Sequence, residues 1–343
     1  MLLDKNSLAV CFEDRKVLMA YGNREKVIYS VSINANADIF IDDNIIDTKL
    51  VVPIIVNFIR SNNIRPKNIM YVLKDEEVVV RNFELPQMPD ASLQKSVEWE
   101  VGQYLPDEGK DYYISYELQE KINEKDRKAY KVMVAAAPKS KINRYVELTN
   151  TLGLKLRAID FSSNCVARVF KDYFNANSSI KNIGIINIGI NKSVITFLEE
   201  GRFAMQRQIP FGINNLARIV LQYMPIGVRD TSISHEDIIK ALDLHLSDEL
   251  NVRAQNIFTN AFGNLGKAIQ FYTAGRVQKN IDQICFIGEG TEVKGLRELM
   301  ENYFGVPIKK IDNVDDLNLK IRVSSGLDLK TYINNIGLLM RKE

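Results

Sequence analysis

The feature that most constrains this chain is a strand–turn–strand unit that occurs twice. Residues 7–12 and 17–21 are two apolar arms joined by a charged turn at 13–16. Residues 182–188 and 194–198 are two more, joined by the polar turn Asn191-Lys192-Ser193, and a third arm follows at 203–209. Charge concentrated between apolar arms is the pattern of a β-hairpin. Residues 69–73 and 281–287 are short, nearly all-apolar runs, as expected for strands buried on both faces of a sheet. The second of these leads into Gly288-Glu289-Gly290 and a helical pattern through Tyr303. The two halves share a plan without sharing a short tandem repeat. The chain, at 343 residues too long for one compact core, therefore reads as an α/β fold of two lobes, 1–180 and 181–343.

Each lobe carries further elements. An apolar helical pattern at 51–60 ends at Ser61-Asn62-Asn63. Residues 78–153 have the texture of a small α+β module inserted into the first lobe, in the order strand, helix, strand, strand, helix. Its strands are 78–85, 112–118 and 130–136, with a polar loop at 120–127 between the last two. Asp90 is positioned as N-cap of the helix 92–104, in which Leu93, Val97, Val101 and Tyr104 share a face at about 100° per residue. Trp99, the single tryptophan, falls off that face. It is either packed on a neighbouring loop or the anchor of a binding surface. In the second lobe residues 211–280 are mainly helical, with Ala254, Phe258, Ala261, Phe262, Leu265, Ile269 and Tyr272 on one face of a long helix. Leu329, Tyr332, Ile333, Ile336 and Met340 pattern a C-terminal helix.

Several function classes are excluded. Net charge is +2, from 45 basic and 43 acidic side chains without a basic tail, so nucleic acid is not an expected partner. Cys11, Cys165 and Cys285 lie far apart among mostly apolar neighbours and read as buried free thiols. His235 and His245 lack a partner with which to form a zinc site or a triad. No apolar run approaches the roughly 20 residues of a membrane span, and residues 1–6 do not resemble a signal peptide. A cytoplasmic protein, recruited to the inner face of the membrane by a partner rather than inserted, is expected.

A family resemblance rests on several segments taken in order. Asn187-Ile188-Gly189 followed by Arg207-Gln208-Ile209-Pro210-Phe211-Gly212 resembles the second phosphate segment of actin-like ATPases. Residues 284–290 with Lys294-Gly295-Leu296 resemble their adenosine segment, and Asn335-Ile336-Gly337-Leu338 their final helix. Arg81, Leu85-Pro86, Val97-Glu98-Trp99-Glu100 and Tyr104-Leu105-Pro106 resemble, more narrowly, the PilM family of type IV pilus assembly, related to the division protein FtsA. The resemblance implies an actin-like, ribonuclease-H-type duplicated fold with the inserted module on the first lobe. It implies ATP in the central cleft, near Gly189, Gly288, Glu289 and Gly290; Asn191, Lys192 and Ser193 are polar enough to meet its phosphates, Lys192 and Ser193 being otherwise a solvated turn. It also implies an inner-membrane partner, PilN-like, whose short N-terminal tail enters a groove between the first lobe and the module.

The cleft residues depart from that pattern. Aligning the apolar arms puts Cys11 where the first hairpin's aspartate belongs and Glu13 where its glycine belongs, and Asn187 replaces the second aspartate. Mg²⁺ prefers hard oxygen donors to a thiol. A carboxylate about 4 Å from a phosphate charge, at an effective dielectric constant near 20, is repelled by about 4 kcal/mol. ATP binding is therefore expected to be weak or absent and Mg²⁺ poorly held, and no catalytic residue is assigned. The leading expectation is a pilus-assembly scaffold. An ATPase that switches partner affinity and an FtsA-like filament protein stay open, as does homo-oligomerisation.

Overall fold

The structure is a computed structural model that describes residues 6–13, 16–35, 40–41, 44–45, 47–124, 127–224, 233–274, 280–323 and 327–342. Expectations for residues 1–5, the turn residues 14–15, the loop residues 125–126 and the parts 225–232 and 275–279 of the helical stretch fall outside the described residues. The chain divides into two compact units, the first comprising 1–168, 321–327 and 332–343, the second 169–320 and 328–331.

In the first unit β1 (Ser7–Glu13), β2 (Lys16–Gly22) and β3 (Val27–Asn34) form an antiparallel meander. After the short strands β4 (Phe40–Ile41) and β5 (Asn44–Ile45) comes α1 (Thr48–Ser61), which starts where the Asp47 carboxylate accepts from the Lys49 N–H. The helix returns the chain to β6 (Asn68–Leu73), parallel to β1. The fifth strand of this sheet, β10, arrives only after the inserted module. Leu8, Val10, Phe12 and Met19 pack beneath Val51, Ile55 and Phe58 of α1.

The module contains β7 (Val79–Pro86), α2 (Asp90–Gly102), β8 (Tyr112–Glu124) and β9 (Arg127–Pro138) in a three-stranded sheet of order β7-β9-β8. Leu93, Val97 and Val101 of α2 cover Leu85, Val132, Val134 and Ala136, as the helical spacing predicts. Two expectations change. Asp90 is the first helical residue rather than the cap, because Pro89 occupies the cap position and its carbonyl accepts from the Ser92 and Leu93 N–H groups. The polar segment 120–127 is mostly strand, since β8 and β9 keep pairing out to Glu124 and Arg127. Next, α3 (Lys139–Thr151) buries Tyr145 and Leu148 in the core beneath β1 and β6. It leads to β10 (Lys155–Phe161), parallel to β6, and α4 (Ser162–Val169).

The second unit repeats the topology. Following α5 (Lys171–Ala176), β11 (Asn182–Ile188), β12 (Ser193–Glu199) and β13 (Arg202–Ile209) form a second antiparallel meander. The chain then runs through α6 (Ala217–Tyr223), α7 (His235–Ala241) and α8 (Glu249–Thr273) to β14 (Gln283–Ile287). After α9 (Leu296–Phe304), β15 (Ile308–Lys310) completes the sheet; α10 (Leu329–Leu339) follows, its residues from Tyr332 onward belonging to the first unit. The two sheets, β10-β6-β1-β2-β3 and β15-β14-β11-β12-β13, have the same strand order and directions. This is the duplicated plan the two hairpins announce.

Candidate functional site

In the second unit the turns singled out from sequence meet at the end of β11. Gly189 N–H donates to Lys192 O at 3.0 Å and closes the hairpin turn, while Ile213 and Asn214 N–H groups strap the 210–214 segment to Gly189 and Ile190. The Asn191 amide accepts from Asn214 at 2.7 Å. Ser193 is buried, and its hydroxyl donates to Phe211 O at 2.7 Å, so it is turned inward rather than offered at the turn. Lys192 is partly buried in the same turn.

The glycine turn packs on this hairpin. Gly288 has φ +89°, and a Cβ there would lie 2.0 Å from Asn187 Oδ1. Gly290 sits so close to Ile188 that a Cβ would come within 2.7 Å of the isoleucine Cβ. Glycine is thus required at both positions for room, and at Gly288 for conformation as well. Thr291 caps the turn through N–H and hydroxyl bonds to Gly288 O, and Glu289 opens the short helical turn between them. Asn187 Oδ1, in the position of the expected second acid, is buried without a hydrogen-bond partner among the described residues and lies against the glycine backbone.

The first unit's hairpin is also unlike an acidic metal site. Cys11 is buried, and its thiol lies 3.9 Å from Glu13 Oε2. Burial first, then the Glu13 charge, raises the Cys11 pKa well above the ordinary thiol value, so the group is neutral at pH 7. Glu13 also accepts from Asn334 Nδ2 of α10 at 3.5 Å. Nearby, Asn335 donates to Ala9 O and Leu18 O and ties α10 to β1 and β2. A neutral thiol is not the hard, anionic oxygen that Mg²⁺ selects.

A third feature lies wholly within the first unit. Period-2 alternation sends Val132, Val134 and Ala136 of β9 into the module core and Met133, Ala135 and Ala137 to the opposite face. On that face they stand beside Tyr113, Ser115 and Glu117 of β8, their register partners. Across from them are Leu73, Val78, Ile142, Ile159 and Phe161, and the space between is a groove of about 210 Å³. One end is polar. Asp160 accepts from Arg168 at 2.7 Å, Arg341 at 2.9 Å, Asn164 at 2.9 Å and its neighbour's backbone N–H. Burial pushes the Asp160 carboxyl up, but the two guanidiniums and the amide donors outweigh it and hold the pKa below its ordinary value. Sequence reasoning did not single out these groove residues. The alternation in 129–137 is a signal for a two-faced strand, but Arg341 lies 181 residues from the carboxylate it pairs with. Trp99 does not line the groove; it stands 65% exposed on α2.

Among the described residues no helix is long and apolar enough to cross a membrane, and no group of three or more acidic, cysteine or histidine residues is placed to hold a metal. A family model described as type IV pilus assembly protein PilM matches residues 19–343. No curated protein matches the chain in sequence. Among solved structures, a chain of the PilM–PilN type IV pilus biogenesis complex is similar at a TM-score of 0.77 and 14% identity, over 98% of both chains. The ethanolamine utilization protein EutJ from Carboxydothermus hydrogenoformans is similar at 0.55 and 10%, over 99% of this chain and 90% of that one. MreB5 of Spiroplasma citri bound to ADP is similar at 0.52 and 11%, over 92% and 94%. At these identities the likeness establishes the actin-like fold.

Proposed function

The chain belongs to the PilM family of type IV pilus assembly proteins, and from that premise we propose that it is a cytoplasmic scaffold whose first unit holds the N-terminal tail of a PilN-like inner-membrane partner. The observation that carries this reading is the groove between the module's sheet and the body of the first unit. Its walls are mainly aliphatic. At its charged end Asp160 is paired with Arg168 and Arg341, and Glu117 stands on the β8 side. Such a groove accepts an uncharged extended segment with small aliphatic side chains. Two buried aliphatic side chains contribute about 3–6 kcal/mol before ordering costs. Micromolar binding, near −8 kcal/mol, therefore needs further contacts.

Titration of the full chain with the partner's N-terminal peptide tests the reading. We expect saturable binding that Ala135→Glu, which puts an unpaired charge into the groove, weakens at least about tenfold. No binding at high micromolar peptide, or equal binding by the variant, sinks it.

The nucleotide site is, on this reading, degenerate. Support comes from each hairpin separately: Cys11 and Glu13 in the first unit, and in the second Asn187 packed onto Gly288 with Ser193 turned inward. Calorimetry with ATP, with and without Mg²⁺, checks this. Micromolar Mg²⁺-dependent binding with turnover would retire it in favour of an ATPase switch.

A further inference from the structure

The module's sheet has an edge that nothing in the first unit pairs with. In the order β7-β9-β8, β8 bonds to β9 on one side and, among the described residues, to no strand on the other. The ladder's parity follows from a single bond. Lys139 N–H donates to Asp111 O at 2.8 Å, one residue beyond the Tyr112–Pro138 pair. Bonded pairs alternate with non-bonded ones in an antiparallel ladder. Tyr113, Ser115 and Glu117 therefore bond to β9, while Tyr112, Ile114, Tyr116 and Leu118 aim their N–H and C=O groups outward. Pro138 agrees with this parity, since it stands opposite Tyr112, where β9 needs no N–H.

Two observations join this edge to the groove. Tyr116 lines the groove, yet its side chain packs with Tyr112 and Ile114 against the module core on the other face. The groove thus touches the β8 backbone between Ser115 and Glu117. Exposed edges are usually blunted by charges, prolines or bulges. Over 112–118 the edge carries one charge, Glu117, and leaves Leu118 48% exposed. The bulge between Leu118 and Glu120, and the charged residues beyond it, mark where this segment ends.

We propose that the partner's tail is held as an added fourth strand on the open edge of β8, pairing along residues 112–118. This rests on the reading that the groove takes that tail, and it supplies the contacts that aliphatic burial alone lacks. Each outward residue offers one donor and one acceptor. The added strand sends every second side chain to the groove face of the sheet, beside Tyr113, Ser115 and Glu117 of β8. Because the groove wall is mainly aliphatic, with its charges gathered at the Asp160 end, the matching segment is extended and apolar, with aliphatic residues at alternate positions and free backbone N–H groups between them.

The test uses the full chain and synthetic copies of the partner's N-terminal peptide, each N-methylated at one backbone amide. The expected result is a period of two: methylation at alternate positions weakens binding about tenfold or more, and at the positions between has little effect. Hydrogen exchange at the Ile114 and Tyr116 amides should slow on binding. Tight binding with no such period, or with unchanged exchange at those amides, overturns strand addition while leaving the groove reading intact. Failure of the unmodified peptide to bind overturns both. Exchange protection that rises with protein concentration in the absence of peptide assigns the edge to a second copy and overturns the proposal as well.

Discussion

Asp160→Ala removes the carboxylate on which two guanidiniums converge at the end of β10. Asp160 is 6% exposed and bonded by Arg168 and Arg341, by Asn164 and by its neighbour's N–H. The two cations do not contribute alike, for the Arg168 side chain is 17% exposed and that of Arg341 is 42% exposed. An exposed pair is worth about 0–1 kcal/mol, whereas removing one partner of a buried pair costs about 3–5 kcal/mol. Asp160→Ala should therefore destabilise the first unit by about 3–5 kcal/mol and Arg341→Met by less than about 1 kcal/mol. Asp160→Leu combined with Arg168→Met should recover much of the loss, because no charge is then left uncompensated. Urea unfolding, read as a shift in midpoint at constant slope, measures each. The pH dependence has a definite sign. A carboxyl whose pKa is depressed by folding contributes stability that is complete above its unfolded value, about 3.9, and is lost as pH falls through the lower folded value. The gap between wild type and Asp160→Ala should be flat around neutrality and close in acid. A loss under about 1 kcal/mol, or a gap that widens as pH falls, refutes the reasoning.

Gly288→Ala meets both the left-handed conformation and Asn187 Oδ1, so a loss of at least about 2 kcal/mol is expected in thermal or urea unfolding. Adding Asn187→Ala should restore only the steric part, and a neutral single variant would contradict the packing described. Cys11, Cys165 and Cys285 are buried with raised pKa values, Cys285 up to about 12, mainly through burial. A thiol-specific chromogenic reagent should leave the native protein unlabelled and react with all three once it is unfolded. Trp99→Ala should change stability by under about 0.5 kcal/mol, because the ring is mostly in solvent, and should leave binding to the groove unchanged. The native emission spectrum should be that of a water-exposed indole.

Elements whose own residues carry their burial signal are legible in the amino-acid sequence. The arms of both hairpins, the strands near residues 70 and 285, and the Leu93, Val97, Val101 stripe of α2 are of this kind. The outer ends of β8 and β9 are not, because apart from the buried Ile122 and Ala129 their side chains are mostly polar and exposed, and strand pairing holds them extended. The start of α2 differs from expectation for a local reason, since Pro89 takes the cap position that Asp90 could equally have filled.

The candidate sites divide along the same line. The order of residues along the chain carried the duplicated α/β plan and the residue types at the hairpin positions. Those follow from identity and order along the chain. Tertiary structure alone decided that the Cys11 thiol faces the Glu13 carboxylate, that Asn187 lies against the Gly288 turn, and that Ser193 points inward. It also decided that a groove ending at the Asp160 charge cluster lies between the module's sheet and the body of the first unit. Each of these depends on strand register and on contacts between residues tens to hundreds of positions apart, and packing of the whole unit sets them.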